Sequence, residues 1–228
     1  MDAIYHQDFD SNTQIITPSD DEFKHLKALR ISVGEHIIVT NGKGLSAECM
    51  LTLIDKKSAK LTPISFYEHL NEKKNNVILA LGILSNKDRM EFALEKAIEL
   101  GISGFIPLKS VYTQKNYINH DRLLQKAIAS IKQSKRSILP QIEQTMTIKQ
   151  IAEKFSDEYQ FIMLDENGID AKSFDYPNKS IIFVGPEGGF SEAEFTLISS
   201  FDAVKINLGN SRLRAETAAI IGTAFALL

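Results

Sequence analysis

From Val77 onward the chain alternates unbroken apolar runs of strand length with segments of helical period, and few folds accept that pattern. Residues 77–84 are nearly all apolar. Met90, Ala93, Leu94, Ala97 and Ile98 then fall on one helical face, with Asp88 and Glu91 placed to cap the start and Gly101 to stop the end. Residues 105–108 read as the next strand, residues 121–137 as a helix with Leu123, Leu124, Ala127, Ile128 and Ile131 on its apolar side, and residues 148–155 as a shorter helix. Three more apolar runs follow, at 161–164, 181–184 and 204–208, each ending in a polar or glycine-containing loop. A strand that is apolar on both faces must be covered on both, so the pattern predicts an α/β unit with a mostly parallel sheet between helical layers.

The first third has a different period. Ser19 and Glu22 are spaced as a capping box ahead of Phe23, Leu26 and Leu29, which predicts a short helix. Residues 37–39 form an apolar run, Thr40-Asn41-Gly42-Lys43-Gly44 supplies residues that tolerate positive φ, and Ala47, Cys49, Leu51 and Leu53 alternate with more polar neighbours. Together they predict a hairpin in a small barrel-like sheet. The polar hexapeptide Asn71-Glu72-Lys73-Lys74-Asn75-Asn76 lies where the period changes. The expected organisation is therefore a β-rich domain over residues 1–70, a linker over 71–76 and an α/β domain over 77–228.

Composition narrows the function classes. A chain of 228 residues with 43% hydrophobic content builds a core without staples, and its lone cysteine, Cys49, has no intramolecular disulfide partner. The histidines are scattered, so no metal site is expected, and no apolar run approaches membrane-spanning length, so a soluble cytoplasmic protein is expected. A net charge of −3 argues against nucleic-acid binding through an overall basic coat, although a local patch remains open.

The two loops nearest the C-terminus carry the chemistry. IIFVGPEGGFSEAEF leaves an apolar strand through Gly185-Pro186-Glu187-Gly188-Gly189 and reaches a helix that Ser191 and Glu194 can box. VKINLGNSRLRAETAA ends a strand at Leu208-Gly209 and reaches a helix near Ala215. Ligands of open parallel sheets bind beyond the carboxyl ends of strands, so two such loops on neighbouring strands share one site. A phosphate is a poor fit: Pro186 removes an N–H donor and Glu187 repels an anion. A cationic ligand with an adenine for backbone groups to read fits better, and S-adenosylmethionine meets that description.

At these residues the chain resembles the SPOUT methyltransferases, and among them the family that methylates N3 of a uridine in 16S ribosomal RNA. VGPEGGFSEAE (184–194) and LGNSRLRAETAA (208–219) resemble that family's two cofactor loops. RMEFALEKAIELGISGFIPL (89–108) resembles its first strand-helix-strand unit, IKQSKRSILP (131–140) its Gln-Ser/Cys-x-Arg helix end, and HLKALRISVGEHIIV (25–39) with the Asn41-Gly42 turn its small PUA-like RNA-binding barrel. The resemblance implies a trefoil-knotted α/β domain behind an N-terminal PUA-like β-barrel, a homodimer with the RNA site shared across it, and small-subunit ribosomal RNA or its precursor as partner. The small, apolar segment 218–228 suits a helix buried all round, either in a dimer or at the centre of a monomer. Three positions depart from the family pattern. Asn86 stands where a basic residue is common, Ala215 replaces a threonine, and Val111-Tyr112 replaces an acidic-basic pair.

The resemblance also implies residue roles. Cofactor contacts are expected from Leu164, Gly185, Pro186, Glu187, Gly188, Gly189, Leu208, Gly209, Asn210, Leu213, Glu216 and Thr217. Arg214 is the candidate for stabilising a uridine anion, since its guanidinium stays charged and can reach a base carbonyl; a salt bridge to Glu216 or Glu187 is the alternative. Neither carboxylate is assigned as the base. Lys126, Lys132, Lys135 and Arg136, with Gln133 between them, suit a helix C-terminus on dipole grounds alone. With the resemblance, Gln133 and Arg136 become expected contacts to RNA or to the target base, Arg136 as a candidate catalytic residue and Arg89 as a further RNA contact. Lys24, Lys27, Arg30 and Lys43 can touch phosphate or serve only as surface charges. Rival readings are a knotted methyltransferase acting on a ribose hydroxyl or transfer RNA, and a non-catalytic RNA-binding assembly factor.

Overall fold

The computed structural model describes residues 2–114 and 118–228. In chain order the elements are β1 (Ala3–Tyr5), α1 (Asp20–Leu29), β2 (His36–Thr40), β3 (Leu45–Ile54), β4 (Ala59–Glu68), β5 (Asn76–Gly82), α2 (Lys87–Leu100), β6 (Gly104–Leu108) and α3 (His120–Ser134). There follow β7 (Gln141–Ile142), α4 (Ile148–Phe155), β8 (Gln160–Asp170), β9 (Lys179–Val184), α5 (Glu192–Ser199), β10 (Val204–Asn207) and α6 (Ala215–Leu227). They group into two compact units, Met1–Glu72 with Ile128–Leu139, and Lys73–Ala127 with Pro140–Leu228.

The first unit holds a four-stranded sheet in the order β1-β2-β3-β4, with β1 parallel to β2 and the other pairs antiparallel. Asn41 makes the β2–β3 reversal: its Oδ1 accepts from the amides of Lys43 (2.8 Å) and Leu45 (3.1 Å), while Gly42 and Gly44 take φ of 71° and 105°. Ile37, Val39, Ala47, Cys49 and Leu51 pack with Ile4, Leu26 and Leu61 in one core. Burial pushes the Cys49 thiol up to about 12, which makes it inert. Leu53, expected to continue that face, is 36% exposed because the β3–β4 register shifts between Leu51 and Leu53. Ser19 does accept from the Glu22 amide, but Glu22 does not reach back; its Oε1 instead takes Lys132 Nζ at 2.8 Å.

Residues expected to be a polar linker have structural work in this unit. Asn71 Nδ2 donates to the Ser134 and Lys135 carbonyls (3.3 and 3.2 Å), the last carbonyls of α3, where Lys135 takes φ of 56° and ends the helix three residues earlier than the sequence suggests. Glu72 accepts from the amides of Ser137 and Ile138, each at 2.8 Å. The segment after α3 is thereby tied to the first unit, a discontinuity that a strictly linear division does not foresee.

The second unit is a six-stranded sheet in the order β10-β8-β9-β5-β6-β7, all pairs parallel. Ile78, Ala80, Phe161, Met163, Ile181 and Phe183 face Ile148, Ile151 and Ile198 of α4 and α5. The helices α2 and α6 contact each other, and α6 contacts β5 and β9. Each fully buried Phe or Ile contributes about 1.5–3 kcal/mol, so this sandwich is where most of the unit's stability arises. Asn86 starts α2 by accepting from the Asp88 amide at 2.8 Å, while Glu91, expected to help at that end, instead pairs with Arg122 of α3. On α6, Ala219, Gly222, Thr223 and Ala226 are buried, whereas Ile220, Ile221, Ala224 and Phe225 are only partly covered, so the helix is not the centre of a monomer core. Among the described residues no helix is long and apolar enough to cross a membrane.

Candidate cofactor site

The strand-end loops of the second unit enclose a cavity of about 720 Å³, within the usual range for small-molecule sites. Its first wall is the loop after β9. A Cβ on Gly82 would lie 2.3 Å from the Pro186 nitrogen, so the loop rests directly on the end of β5. Gly189 donates its amide to the Pro186 carbonyl at 2.8 Å with φ of +73°, and a Cβ on Gly185 would meet Gly189 at 3.0 Å. These contacts admit no side chain and leave the loop's backbone at the cavity surface. The α5 start then closes as a capping box: Glu194 Oε2 accepts from the Ser191 amide (2.9 Å) while Ser191 Oγ accepts from the Glu194 amide (3.3 Å).

Glu187 is held in that loop by Ser85, whose hydroxyl and amide donate to Oε1 at 2.7 and 3.1 Å. Burial works to raise its carboxyl, but the Ser85 hydrogen bonds and the charge of Arg89 outweigh it and hold the group below the ordinary carboxylate value. Glu187 is therefore a charged anchor of the loop.

The second wall runs from Asn207 to Glu216. Asn207 Oδ1 accepts from the Gly209 amide at 2.6 Å, and Gly209 takes φ of +123°, turning the chain across the sheet end. Arg214 is the N-cap residue of α6 and makes no side-chain capping bond, so no side-chain cap covers the first-turn amides of the helix. Glu216 is buried and lies 3.6 Å from Arg89 Nε. Among the described residues no ion pair joins Arg214 to Glu216 or Glu187, whose charges face Arg89.

The third wall was not expected. The strand β8 runs to Asp170, but its pairing with β10 jumps from Met163↔Lys205 to Ile169↔Ile206. Residues 164–168 thus bulge out, placing Leu164, Asp165 and Glu166 on the cavity. A Cβ on Gly168 would sit 2.5 Å from the Lys205 carbonyl carbon, so only glycine allows the strands to rejoin. The sequence signal was Leu164-Asp165-Glu166-Asn167-Gly168, a third polar, glycine-ended segment after an apolar strand.

Of the expected cofactor residues, all but Thr217 line the cavity, and Arg214 and Arg89 line it too. Arg89 was expected at RNA but stands in this wall. Arg212, Phe190 and Phe195 join it without having been singled out. The cavity carries the carboxylates of Asp165, Glu166, Glu187 and Glu216 against the guanidinium groups of Arg89, Arg212 and Arg214, an excess of negative charge that suits a cation. Glycine-lined backbone, half-buried Leu164, Leu208 and Leu213, and this charge balance fit S-adenosylmethionine. Among the described residues no group of three or more His, Cys, Asp or Glu could hold a metal ion.

The expected RNA contacts do not converge. Arg136 is 3% exposed, and Glu72 Oε2 takes its Nε and Nη2 at 3.1 and 2.7 Å. That burial is at odds with a direct contact to RNA or a target base. Gln133 is exposed, while Lys132 and Lys126 are paired with Glu22 and Glu95. In the first unit Lys24 pairs with Asp21, Lys27 donates to the Lys56 carbonyl and lies over Phe23, Arg30 ends α1 in the left-handed conformation, and Lys43 is exposed on its turn.

Comparison with known proteins agrees with this geometry. The RNA methyltransferase domain family matches residues 71–227, and the RNA methyltransferase PUA domain family matches residues 18–64. The chain is 32% identical over 224 residues to the ribosomal RNA small subunit methyltransferase E of Rickettsia conorii, covering 93% of this chain and 89% of that one. The protein of that name from Mesomycoplasma hyopneumoniae is 32% identical over 202 residues, covering 86% of each. In structure the chain is similar to the ribosomal RNA small subunit methyltransferase E of Neisseria gonorrhoeae bound to S-adenosylmethionine, with a TM-score of 0.87 and 28% identity over 98% of this chain and 95% of that one. With its parallel sheet, its glycine-walled cavity and a match across most of its length, the chain belongs to the RNA methyltransferase domain family.

Proposed function

We propose that the chain transfers a methyl group from S-adenosylmethionine to N3 of a uridine in small-subunit ribosomal RNA. The observation that carries this reading is the cavity itself: backbone-walled at three strand ends, negatively charged on balance, and edged by an arginine with no carboxylate partner among the described residues. S-adenosylmethionine, when bound, supplies a methyl group on a positively charged sulfur. Leu164, Leu208 and Leu213 offer apolar faces for an adenine, and the Gly185–Gly189 and Gly209–Asn210 backbone supplies the hydrogen-bonding groups to read it, with Thr217 in the first turn of α6. Glu187 fixes the first loop, and Glu216 with Arg89 fixes the opposite side.

Uridine N3 is a weak nucleophile until its proton leaves, so the reaction needs alignment and a positive group near the base carbonyls. Arg214, exposed at the cavity and permanently charged, fills that role. Arg136 serves the fold of the first unit rather than the chemistry. The relatives named above act in small-subunit ribosomal RNA methylation by their names, which supports this substrate over a ribose hydroxyl or transfer RNA.

The protein acts as a homodimer in the cytoplasm, with the chain threaded as a trefoil knot at the cofactor loops. The partly covered Ile220, Ile221, Ala224 and Phe225 of α6 support the dimer, since a second copy can bury what one chain leaves open. The experiment has two parts: calorimetry with S-adenosylmethionine, and mapping of the methylated position in small-subunit ribosomal RNA after incubation with protein and cofactor. Cofactor binding with a new N3-methyluridine is the expected result; modification of a ribose or of transfer RNA alone refutes the assignment.

A further inference from the structure

We infer that the acceptor RNA strand runs along a groove between the turn after β6 and the start of α4, with a nucleobase stacked on Tyr112 beside the cofactor loop. This rests on the methyl-transfer reading above and adds the path of the substrate. The turn of residues 110–113 is clamped: Ser110 N donates to Thr113 Oγ1 at 2.9 Å, Thr113 N to the Ser110 carbonyl at 3.1 Å, and Val111 N to Glu194 Oε1 at 2.8 Å. The hydrogen-bonded turn nevertheless leaves two large side chains, Val111 and the ring of Tyr112, at 68% and 50% exposure. Water gains nothing from that arrangement. An apolar platform fixed in place beside a reaction site is what an unstacked base requires, because every base has an apolar face and stacking needs no sequence match.

Position ties the platform to the site. A Cβ on Gly188 would lie 2.9 Å from Tyr112 Cβ and 3.2 Å from its Cγ, so the tyrosine sits flush on the loop that lines the cofactor cavity. On its other side the turn borders a groove of about 310 Å³ lined by Lys109, Thr147, Ile148, Lys149 and Leu197. Lys109 makes no ion pair among the described residues, and Lys149 is exposed, 3.7 Å from Glu153 and beyond hydrogen-bond length. The one carboxylate in the groove, Glu194, already accepts from Val111, from the Ser191 amide and from the Ser191 hydroxyl. Two lysines along an apolar groove, bordered by the turn that carries the ring, suit a single strand, phosphates on the lysines and base on the tyrosine.

The test uses the full chain, with S-adenosylmethionine affinity by calorimetry, steady-state methylation of small-subunit ribosomal RNA, and RNA binding across a salt series. Tyr112→Ala lowers kcat/KM for RNA by about 5- to 100-fold with cofactor affinity unchanged, and Tyr112→Phe recovers most of the loss. Lys109→Ala with Lys149→Ala flattens the dependence of log affinity on log salt by about 1.4, at about 0.7 per phosphate on a single strand. Tyr112→Ala equal to an active wild type overturns the stacking role, as does a parallel loss of cofactor affinity, which marks the ring as a mere prop for the loop. An unchanged salt slope overturns the path and leaves the groove to a protein partner. A wild-type chain that binds cofactor but methylates no RNA overturns the underlying reading and this inference with it.

Discussion

Arg136→Ala separates a structural arginine from an RNA-binding one. In the native chain Glu72 Oε2 accepts two guanidinium hydrogen bonds (3.1 and 2.7 Å), and Oε1 accepts from the Ser137 and Ile138 amides, with side-chain exposures of 3% for Arg136 and 8% for Glu72. Removing one member of such a pair leaves a buried charge without its counter-ion, which costs about 3–5 kcal/mol. The amides still satisfy Oε1 in the variant, so the loss falls at the low end, about 3 kcal/mol. At about 2–4 °C per kcal/mol for a chain of this size, the melting temperature drops by about 6–12 °C. Glu72→Ala also orphans the two amides and costs more, toward about 5 kcal/mol, whereas Glu72→Gln keeps an acceptor and costs less. Calorimetric melting of the full chain reads these shifts, and RNA binding is measured well below the transition. A melting temperature unmoved in Arg136→Ala, together with lost RNA affinity, refutes the reasoning and returns Arg136 to the RNA surface.

Three further outcomes follow from the cavity. Arg214→Ala reduces kcat by on the order of 10²-fold at saturating cofactor, as loss of one charge-stabilising donor does, with cofactor affinity by calorimetry unchanged; retained turnover removes the assigned role. Gly168→Ala forces a Cβ to 2.5 Å from the Lys205 backbone and destabilises by about 1–3 kcal/mol, read in urea melts, and a neutral result means that the bulge is not tied to β10 as described. The Glu187 carboxyl is held below its ordinary 4.5, so its contribution to stability is fully present above that value and is lost as pH falls through the lower folded-state value. Ser85→Ala removes the hydroxyl donor at 2.7 Å and keeps the backbone amide, so the Glu187 titration observed by NMR moves up; an unmoved titration shows that the Ser85 hydroxyl does not set it.

The alternation of nearly apolar strands with amphipathic helices made the parallel sheet readable, because β5 and β9 are covered on both faces and, apart from the buried Ser180 near the start of β9, are apolar within. What escaped were features decided by partners far away in sequence. Nothing local to Glu72 announces that it will bind Arg136 and the amides beyond α3. A polar hexapeptide reads as linker when its polarity is instead spent on capping a distant helix end. The two-residue strand β7 carries no period at all; it exists because the backbone of β6 offers a free edge beside Gln141 and Ile142.

The site shows the same division. Loops whose glycines are demanded by backbone geometry were legible, since Gly185, close against Gly189, and Gly189 itself, at φ of +73°, leave a compositional mark where Gly82, further back, reads only as a strand end. Charges were legible as types but not as pairs: a salt bridge from Arg214 to Glu216 or Glu187 was the alternative to its role at the base, yet it is Arg89, on α2, that stands beside both carboxylates. An arginine whose nearest carboxylates are claimed by another cation keeps its full field for a third party. That is the physical difference between Arg214 and Arg136, two arginines equally prominent in the sequence: one is neutralised inside the fold at 2.7 Å, and the other stands exposed at a cavity wall with its charge uncommitted.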